Sequence, residues 1–335
     1  MYPEVYMDIG NKCNAMCKYC LTGSANRQGL TQSVPAYFMT AQRFQELAEH
    51  MRGCGMITPD CIFRIYNWYE PMLNPHLPEI INYIDGTDFT LDMSTNAGVL
   101  PDFSRIKSCK SIVGLLFSMP GFSQESYDRI HRLNFETVKD NIRTIMREFR
   151  ARGFEGDAYI NYHLYQFNMH EVYDAQAFAD EVGIRLHCIF AYFNGSRYNG
   201  ISDNQAYKDG TMTFERLKEV SKDLFFFYMD EIWDNPEFFK EKLGEPPSIT
   251  LSEFCNIIPG RGCNDDSRIV NIFDLHSYEE VKAIYDRLQA EADKDPNSLK
   301  GWLWGRSYRY PRNYIFGLGE KMKIEKREPQ QKEGR

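Results

Sequence analysis

The sequence predicts an α/β protein whose core is a partial (β/α)6 barrel of parallel strands, followed by an irregular, mostly helical C-terminal extension. Strand patterns alternate with helical patterns over roughly residues 4–195, at a pitch typical of parallel βαβ units. Six such units are present, and no seventh or eighth of similar quality follows. The barrel is therefore expected to be open.

Six segments have the pattern of strands. In the first, residues 4–10, Val5, Met7 and Ile9 alternate with Tyr6 and Asp8. The others are residues 61–68, 89–94, 111–118, 158–165 and 185–190. Helical spacing predicts helices over residues 40–51, 77–84, 127–131, 138–150, 171–182, 213–231 and 278–292.

This pattern divides the chain into three parts. Residues 1–195 form the predicted barrel, and residues 196–320 an extension that covers its mouth. Residues 321–335 are charged and mixed in sign, which is typical of a mobile tail.

Composition excludes several classes of function. A hydrophobic content of 43% supports a sizeable core, and a formal net charge of −8 argues against a nucleic-acid partner. The N-terminus lacks the pattern of a secretion signal, and no apolar run approaches the length of a membrane span. The nine cysteines are an odd number, which argues against a disulfide framework and favours the reducing cytoplasm.

Three cysteines directly follow the first strand. Cys13, Cys17 and Cys20 lie within eight residues. Cysteine thiolates hold iron–sulfur clusters, and three of them would leave one iron of a cubane cluster open to a small molecule. Zinc is the first alternative, but a structural zinc site needs four ligands. An electron-carrying ferredoxin would likewise supply four thiolates.

This C-x3-C-x2-C spacing after a first strand resembles the radical S-adenosylmethionine (radical SAM) superfamily. The resemblance covers about residues 4–195 and implies the same partial barrel. It implies a 4Fe-4S cluster whose open iron binds the amino and carboxylate groups of S-adenosyl-L-methionine. An electron from flavodoxin or ferredoxin would then cleave the cofactor to a 5′-deoxyadenosyl radical. An oxygen-sensitive cluster also fits the cytoplasm.

The resemblance assigns cofactor contacts at the ends of the strands. Glu70 occupies the acidic position of the family's Gly-Gly-Glu-Pro motif, although Trp68 and Tyr69 replace the glycines. It would receive the methionyl ammonium; otherwise it belongs to a surface Glu-Pro turn. Further candidates match two kinds of family position: polar side chains near the ribose and carboxylate of the cofactor, and an aromatic side chain that packs on its adenine. These are Ser94, Asn96, Ser118 and Tyr19, for which helix capping or loop packing is the alternative.

The fifth strand has a polar face. Asn161 and His163 share one parity, opposite to Ala158, Ile160 and Leu164. If the apolar set packs under helices, the polar pair points into the barrel, as in a ligand cavity. A structural histidine is the alternative for His163.

The late cysteines bear on the type of reaction. Cys255 and Cys263 are too few to hold a second cubane unaided, and they suggest at most a shortened SPASM/twitch-like extension. Either thiol is a candidate for returning a hydrogen atom to a substrate radical. The alternatives are an auxiliary cluster completed by unusual ligands, or two ordinary loop cysteines.

The predicted function is radical SAM hydrogen abstraction with a redox-neutral outcome. The specific expectation is epimerisation of a sugar, an aminocyclitol or a peptide residue. The aromatic and arginine-rich residues 302–312 are a candidate substrate contact. Oxidation or cross-linking with an auxiliary cluster is the second enzyme hypothesis. A non-catalytic iron–sulfur or zinc-binding protein is the alternative from another class.

Overall fold

The computed structural model describes residues 1–18, 20–191, 248–258 and 270–294. Seven parallel strands form one sheet in the order β6-β5-β4-β3-β2-β1-β7. The strands are β1 (Tyr2–Met7), β2 (Ile57–Arg64), β3 (Thr90–Thr95), β4 (Ile112–Met119), β5 (Asp157–Leu164), β6 (Arg185–Phe190) and β7 (Ser248–Leu251). The helices are α1 (Leu21–Arg27), α2 (Ala41–Gly53), α3 (Leu77–Asp85), α4 (Gln124–Arg129), α5 (Phe135–Ala151), α6 (Val172–Val182) and α7 (Tyr278–Lys294).

Alternation along the strands separates two faces of the sheet. One parity is mostly apolar and is buried against the helices, for example at Met7, Met93 and Phe117. Each such side chain contributes about 1.5–3 kcal/mol when it is fully buried. The other parity carries polar side chains on the inner face. The predicted α/β partial barrel is confirmed.

Charged side chains cross the inner face between β1, β2 and β3. The guanidinium of Arg64 binds both carboxylate oxygens of Glu4, at 2.8 and 3.1 Å, and also contacts Asp92. On β4 the neighbouring position is Gly114, where a Cβ would lie 2.4 Å from an Asp92 oxygen. The interior is thus polar at this level, unlike a sealed hydrocarbon core.

The seventh strand was not predicted. β7 pairs in parallel with β1, from Glu4 opposite Ser248 to Met7 opposite Leu251. Four residues are too few to show a period in the sequence, and their pairing depends on a partner far away along the chain. The extension therefore contributes a strand to the sheet as well as helical structure.

The predicted bounds of the second strand are wrong by four residues at each end. The strand runs over Ile57–Arg64 instead of residues 61–68. Residues after Arg64 leave the sheet because backbone N–H groups of Asn67, Trp68 and Tyr69 bond the side chain of Asp8.

The extension is only partly described. The helix expected over residues 278–292 is confirmed at Tyr278–Lys294. The helix expected over residues 213–231, the aromatic residues 302–312 and the tail 321–335 lie outside the described residues. No helix in the described part of the chain is both long and apolar enough to cross a bilayer.

Candidate functional site

The three-cysteine loop lies at the C-terminal edge of the sheet, where parallel α/β folds bind their ligands. It leaves β1 and ends where α1 begins, and its three thiols are half-buried and free of disulfides. Backbone hydrogen bonds hold it against the end of α4, from Met16 N–H to the His131 carbonyl (2.8 Å) and from Lys18 N–H to the Ile130 carbonyl (3.1 Å).

Helix α1 closes tightly over this loop. The side-chain amide of Asn26 donates to the carbonyls of Cys13 (2.9 Å) and Ala15 (2.7 Å). At Gly23 a Cβ would lie 2.3 Å from the nitrogen and 2.5 Å from the oxygen of Cys17, so any side chain would displace the loop. The loop is therefore a preformed cradle in which the thiols have fixed positions.

Electrostatics at the thiols favours a cationic ligand. Burial raises the pKa of Cys13, and Glu70 and Cys20 raise it further. Burial also raises the pKa of Cys17, as do Cys20 and Cys13, while Arg27 opposes the shift. Deprotonation of Cys13 and Cys17 is therefore unfavourable in the metal-free site, and a bound metal would offset this cost by binding the sulfurs as thiolates.

The spacing of the thiols bears on the zinc alternative. Among the described residues, one group of three metal-binding side chains has all its ligand atoms within 4.8 Å of one another, and it is not this one. The three loop thiols do not form such a compact group of ligands for a single ion.

An orphaned hydroxyl next to the loop also fits a cluster. Tyr127 of α4 is fully buried, and its hydroxyl has no hydrogen-bond partner within the described chain. Burial raises its pKa, and the nearby Cys17 thiol raises it further. A buried phenol of this kind normally finds an acceptor, and a thiolate or cluster sulfur beside Cys17 is suited to be one.

Glu70 joins the ends of β2 and β3 beneath the loop. One carboxylate oxygen accepts from the Thr95 hydroxyl (2.7 Å) and Met72 N–H (3.1 Å), and the other from Asn96 N–H (2.8 Å). Burial raises the pKa of Glu70 to about 7, although these hydrogen bonds lower it. The alternative of a surface Glu-Pro turn does not hold, because Glu70 is 5% exposed and its own N–H donates to the Lys12 carbonyl.

Asn96 connects this junction with the cysteines. Its side-chain amide lies 3.7 Å from the Cys13 sulfur and donates to the Asn14 side chain at 2.8 Å. The structure therefore brings together Asn96, Glu70 and Cys13, which lie far apart in the sequence.

Asp8, missed by the sequence prediction, fixes the segment in which Trp68 and Tyr69 replace two glycines. Its carboxylate accepts hydrogen bonds from three consecutive N–H groups, those of Asn67, Trp68 and Tyr69, at 3.0–3.2 Å. Burial raises the pKa of Asp8 to about 7, although these backbone bonds lower it. A carboxylate directly after the first strand is the sequence signal that points to it.

Four predicted polar side chains share the inner face of the barrel. Ser118 is the register partner of Asn161, whose amide lies 3.2 Å from Nε2 of His163. Ser94 lies on β3 with the same half-buried character. Burial lowers the pKa of His163 to about 4, so its imidazole is neutral at physiological pH.

The remaining candidates do not join this group. Tyr19 and Cys263 lie outside the described residues. Cys255 is 1% exposed, and Arg43 of α2 lies near its thiol. Burial raises the pKa of this thiol. That environment fits a packing cysteine.

The fold is shared with solved structures. Streptococcus suis SuiB bound to S-adenosylmethionine has a TM-score of 0.53 at 9% identity, over 83% of this chain and 65% of that one. SuiB bound to the precursor peptide SuiA has a TM-score of 0.55 at 10% identity, over 83% and 64%. Native anSMEcpe with bound AdoMet has a TM-score of 0.53 at 14% identity, over 96% and 98%.

These likenesses concern the fold, and the chain spans 65% of the length of SuiB. No protein-family model matches the chain, and no curated protein matches it in sequence. The sheet nevertheless places the three-cysteine loop at the mouth of a parallel partial barrel, as the motif predicts. The chain thus shares its fold with SuiB and anSMEcpe, both of which were solved with S-adenosylmethionine bound.

Proposed function

We propose that this chain is a radical SAM enzyme in which Cys13, Cys17 and Cys20 hold one 4Fe-4S cluster. The observation that carries the proposal is the preformed loop at the mouth of the parallel barrel. Its three thiols are free and half-buried, and the orphaned Tyr127 hydroxyl lies near Cys17. When bound, the cluster supplies the electron that cleaves S-adenosylmethionine and produces an adenosyl radical.

The chain's own residues bind and orient the cofactor. Glu70 accepts three hydrogen bonds from the protein, which leaves one acceptor direction of a carboxylate for the methionyl ammonium. A cation placed there would favour the ionised carboxylate. Asn96 and Ser94 line the route from Cys13 into the barrel, and Tyr19 is assigned to the adenine face.

The inner face of β4 and β5 receives the substrate. Ser118, Asn161 and His163 offer hydrogen bonds without a fixed charge, which suits hydroxyl and amide groups. Sugars, aminocyclitols and peptide residues all present these groups. The likeness to a SuiB structure that contains a precursor peptide favours the peptide.

For the outcome of the reaction, we propose redox-neutral epimerisation in which a cysteine returns the hydrogen atom. Cys263 is the better donor because Cys255 is packed against α2. A flavodoxin or ferredoxin would supply the electron. Oxidation or cross-linking remains the second candidate.

The first test is cofactor cleavage. Anaerobically reconstituted protein should contain about four irons per chain and, once reduced, should convert S-adenosylmethionine to 5′-deoxyadenosine. A Cys17→Ala variant should do neither. Loaded and reduced protein that forms no 5′-deoxyadenosine would contradict the proposal, and about eight irons would favour an auxiliary cluster.

The second test concerns the outcome. Pools of synthetic peptides and of aminocyclitols, incubated with enzyme in deuterated buffer, should yield one product that has gained a single non-exchangeable deuterium. Cys263→Ala should abolish this gain while 5′-deoxyadenosine still forms, and Cys255→Ala should retain it. Equal gain in both variants would rule out a cysteine donor at these positions.

A further inference from the structure

A second set of metal-binding side chains lies away from the cysteine loop. His50 and Cys54 are one turn apart at the end of α2, and His276 lies two residues before α7. The ligand atoms of the three side chains all lie within 4.8 Å of one another. Since α2 ends where β2 begins and the cysteine loop follows the end of β1, the two sets occupy opposite edges of the parallel sheet.

Hydrogen bonds fix the tautomer of His50. Its Nε2 lies 3.1 Å from the Ile272 carbonyl and 2.9 Å from the Leu275 carbonyl. Both partners are acceptors only, so Nε2 carries the proton and Nδ1 offers its lone pair. That lone pair faces the sulfur of Cys54 at 4.0 Å.

Metal-ligating histidines have this arrangement: one ring nitrogen binds the ion and the other donates to a backbone carbonyl, which orients the ring. The carbonyls that orient His50 belong to the segment that carries His276. The His50 ring also packs on Phe273, at 5.1 Å between centroids. The first ligand is therefore rigidly placed with its lone pair toward the other two.

We propose that His50, Cys54 and His276 bind a zinc-class divalent cation through Nδ1 of His50, the Cys54 thiolate and one imidazole nitrogen of His276. Two imidazoles and a thiolate are the ligands that zinc prefers, and a water completes a tetrahedron. Bond lengths of about 2.0 Å to nitrogen and 2.3 Å to sulfur require ligand separations of about 3.3–3.8 Å. The present separations of up to 4.8 Å are longer, so the Cys54 and exposed His276 side chains would move toward the ion on binding.

Such an ion would connect distant parts of the chain. It joins the end of α2 to the segment before α7, whose contacts with His50 span 222 and 225 residues. Binding to the folded state alone stabilises it, in proportion to the logarithm of the ion concentration. The expected effect is therefore on stability, and it does not depend on the proposed enzymatic activity.

Cobalt(II) tests this assignment because a cobalt–thiolate bond gives a near-ultraviolet charge-transfer band. The protein is the tag-free full-length chain with Cys13→Ala, Cys17→Ala and Cys20→Ala, which removes the cluster ligands. We expect about one Co²⁺ per chain, displaced by Zn²⁺. Added Cys54→Ser should abolish the band, whereas added Cys188→Ser, at another half-buried thiol, should preserve it.

Two further variants test the histidines. His50→Gln retains an N–H for the carbonyls but loses the ligand nitrogen, and His276→Ala changes an exposed side chain that the fold does not need. Each should weaken cobalt binding by about tenfold or more. A band that survives Cys54→Ser, or affinity unchanged in both histidine variants, would overturn the proposal.

Discussion

Both carboxylate oxygens of Asp8 accept a hydrogen bond from the backbone N–H of Trp68, each at 3.1 Å. With the N–H groups of Asn67 and Tyr69 also bound to Asp8, three successive amides point toward the end of β1. Their directions are set by this carboxylate, so glycines are not needed to shape the segment before Glu70.

Asp8→Asn should therefore weaken the binding of S-adenosylmethionine while cluster loading stays normal. The amide NH₂ cannot accept a hydrogen bond, so part of the segment is released at a cost of about 1–3 kcal/mol of folding free energy. Anaerobic calorimetry should show weaker cofactor binding at unchanged iron content. Unaltered affinity would show that the segment does not contact the cofactor.

Tyr127→Phe should act differently with and without the cluster. In the cluster-free protein the change removes a buried hydroxyl that has no partner among the described residues, and the free energy of unfolding should stay equal or rise. In the loaded protein it removes a donor to sulfur, and the cluster potential should become more negative. Redox titration followed by electron paramagnetic resonance measures the shift; Tyr162→Phe, whose hydroxyl bonds the Asn168 carbonyl, is the control.

Gly23→Ala should prevent cluster loading. The added Cβ would collide with the backbone of Cys17, at 2.3 Å from its nitrogen. Gly53→Ala, where a Cβ would meet nothing within 4 Å, should load normally. Iron and sulfide per chain after reconstitution compare the two variants, and equal loading would show that the loop can yield.

His131 should make the folded state sensitive to acid. It is buried, its Nδ1 has no partner within the described chain, and burial lowers its pKa to about 3. Below a pH of about 6.5, the pKa of His131 in the unfolded chain, the unfolded state binds a proton at His131 that the folded state does not bind. Stability is therefore lost as the pH falls toward the folded-state pKa.

Urea unfolding of wild type and His131→Leu measures this loss. Between pH 6 and pH 5, wild type should lose up to about 1.4 kcal/mol per pH unit relative to the variant. If the free energies of unfolding of the two proteins changed with pH in parallel, His131 would be protonated in the folded state as it is in the unfolded chain.

Local sequence patterns predicted most of the fold because the periodicity of a strand or a helix is visible within a short sequence window. The bounds of β2 were predicted wrongly because the segment after Arg64 leaves the sheet. Its backbone N–H groups bond Asp8, which is 59–61 residues away in the sequence. The cysteines were predicted from their spacing. Asp8, Gly23 and Tyr127 were not, since each acts through a contact that no short sequence window contains.

The pairing of β7 with β1 has a consequence for biosynthesis. Until residue 251 leaves the ribosome, the strand that carries the cysteine loop shows one unpaired row of amides and carbonyls to solvent. Chains truncated before Ser248 would keep this unpaired strand edge permanently. They should self-associate even though every cysteine of the motif is present.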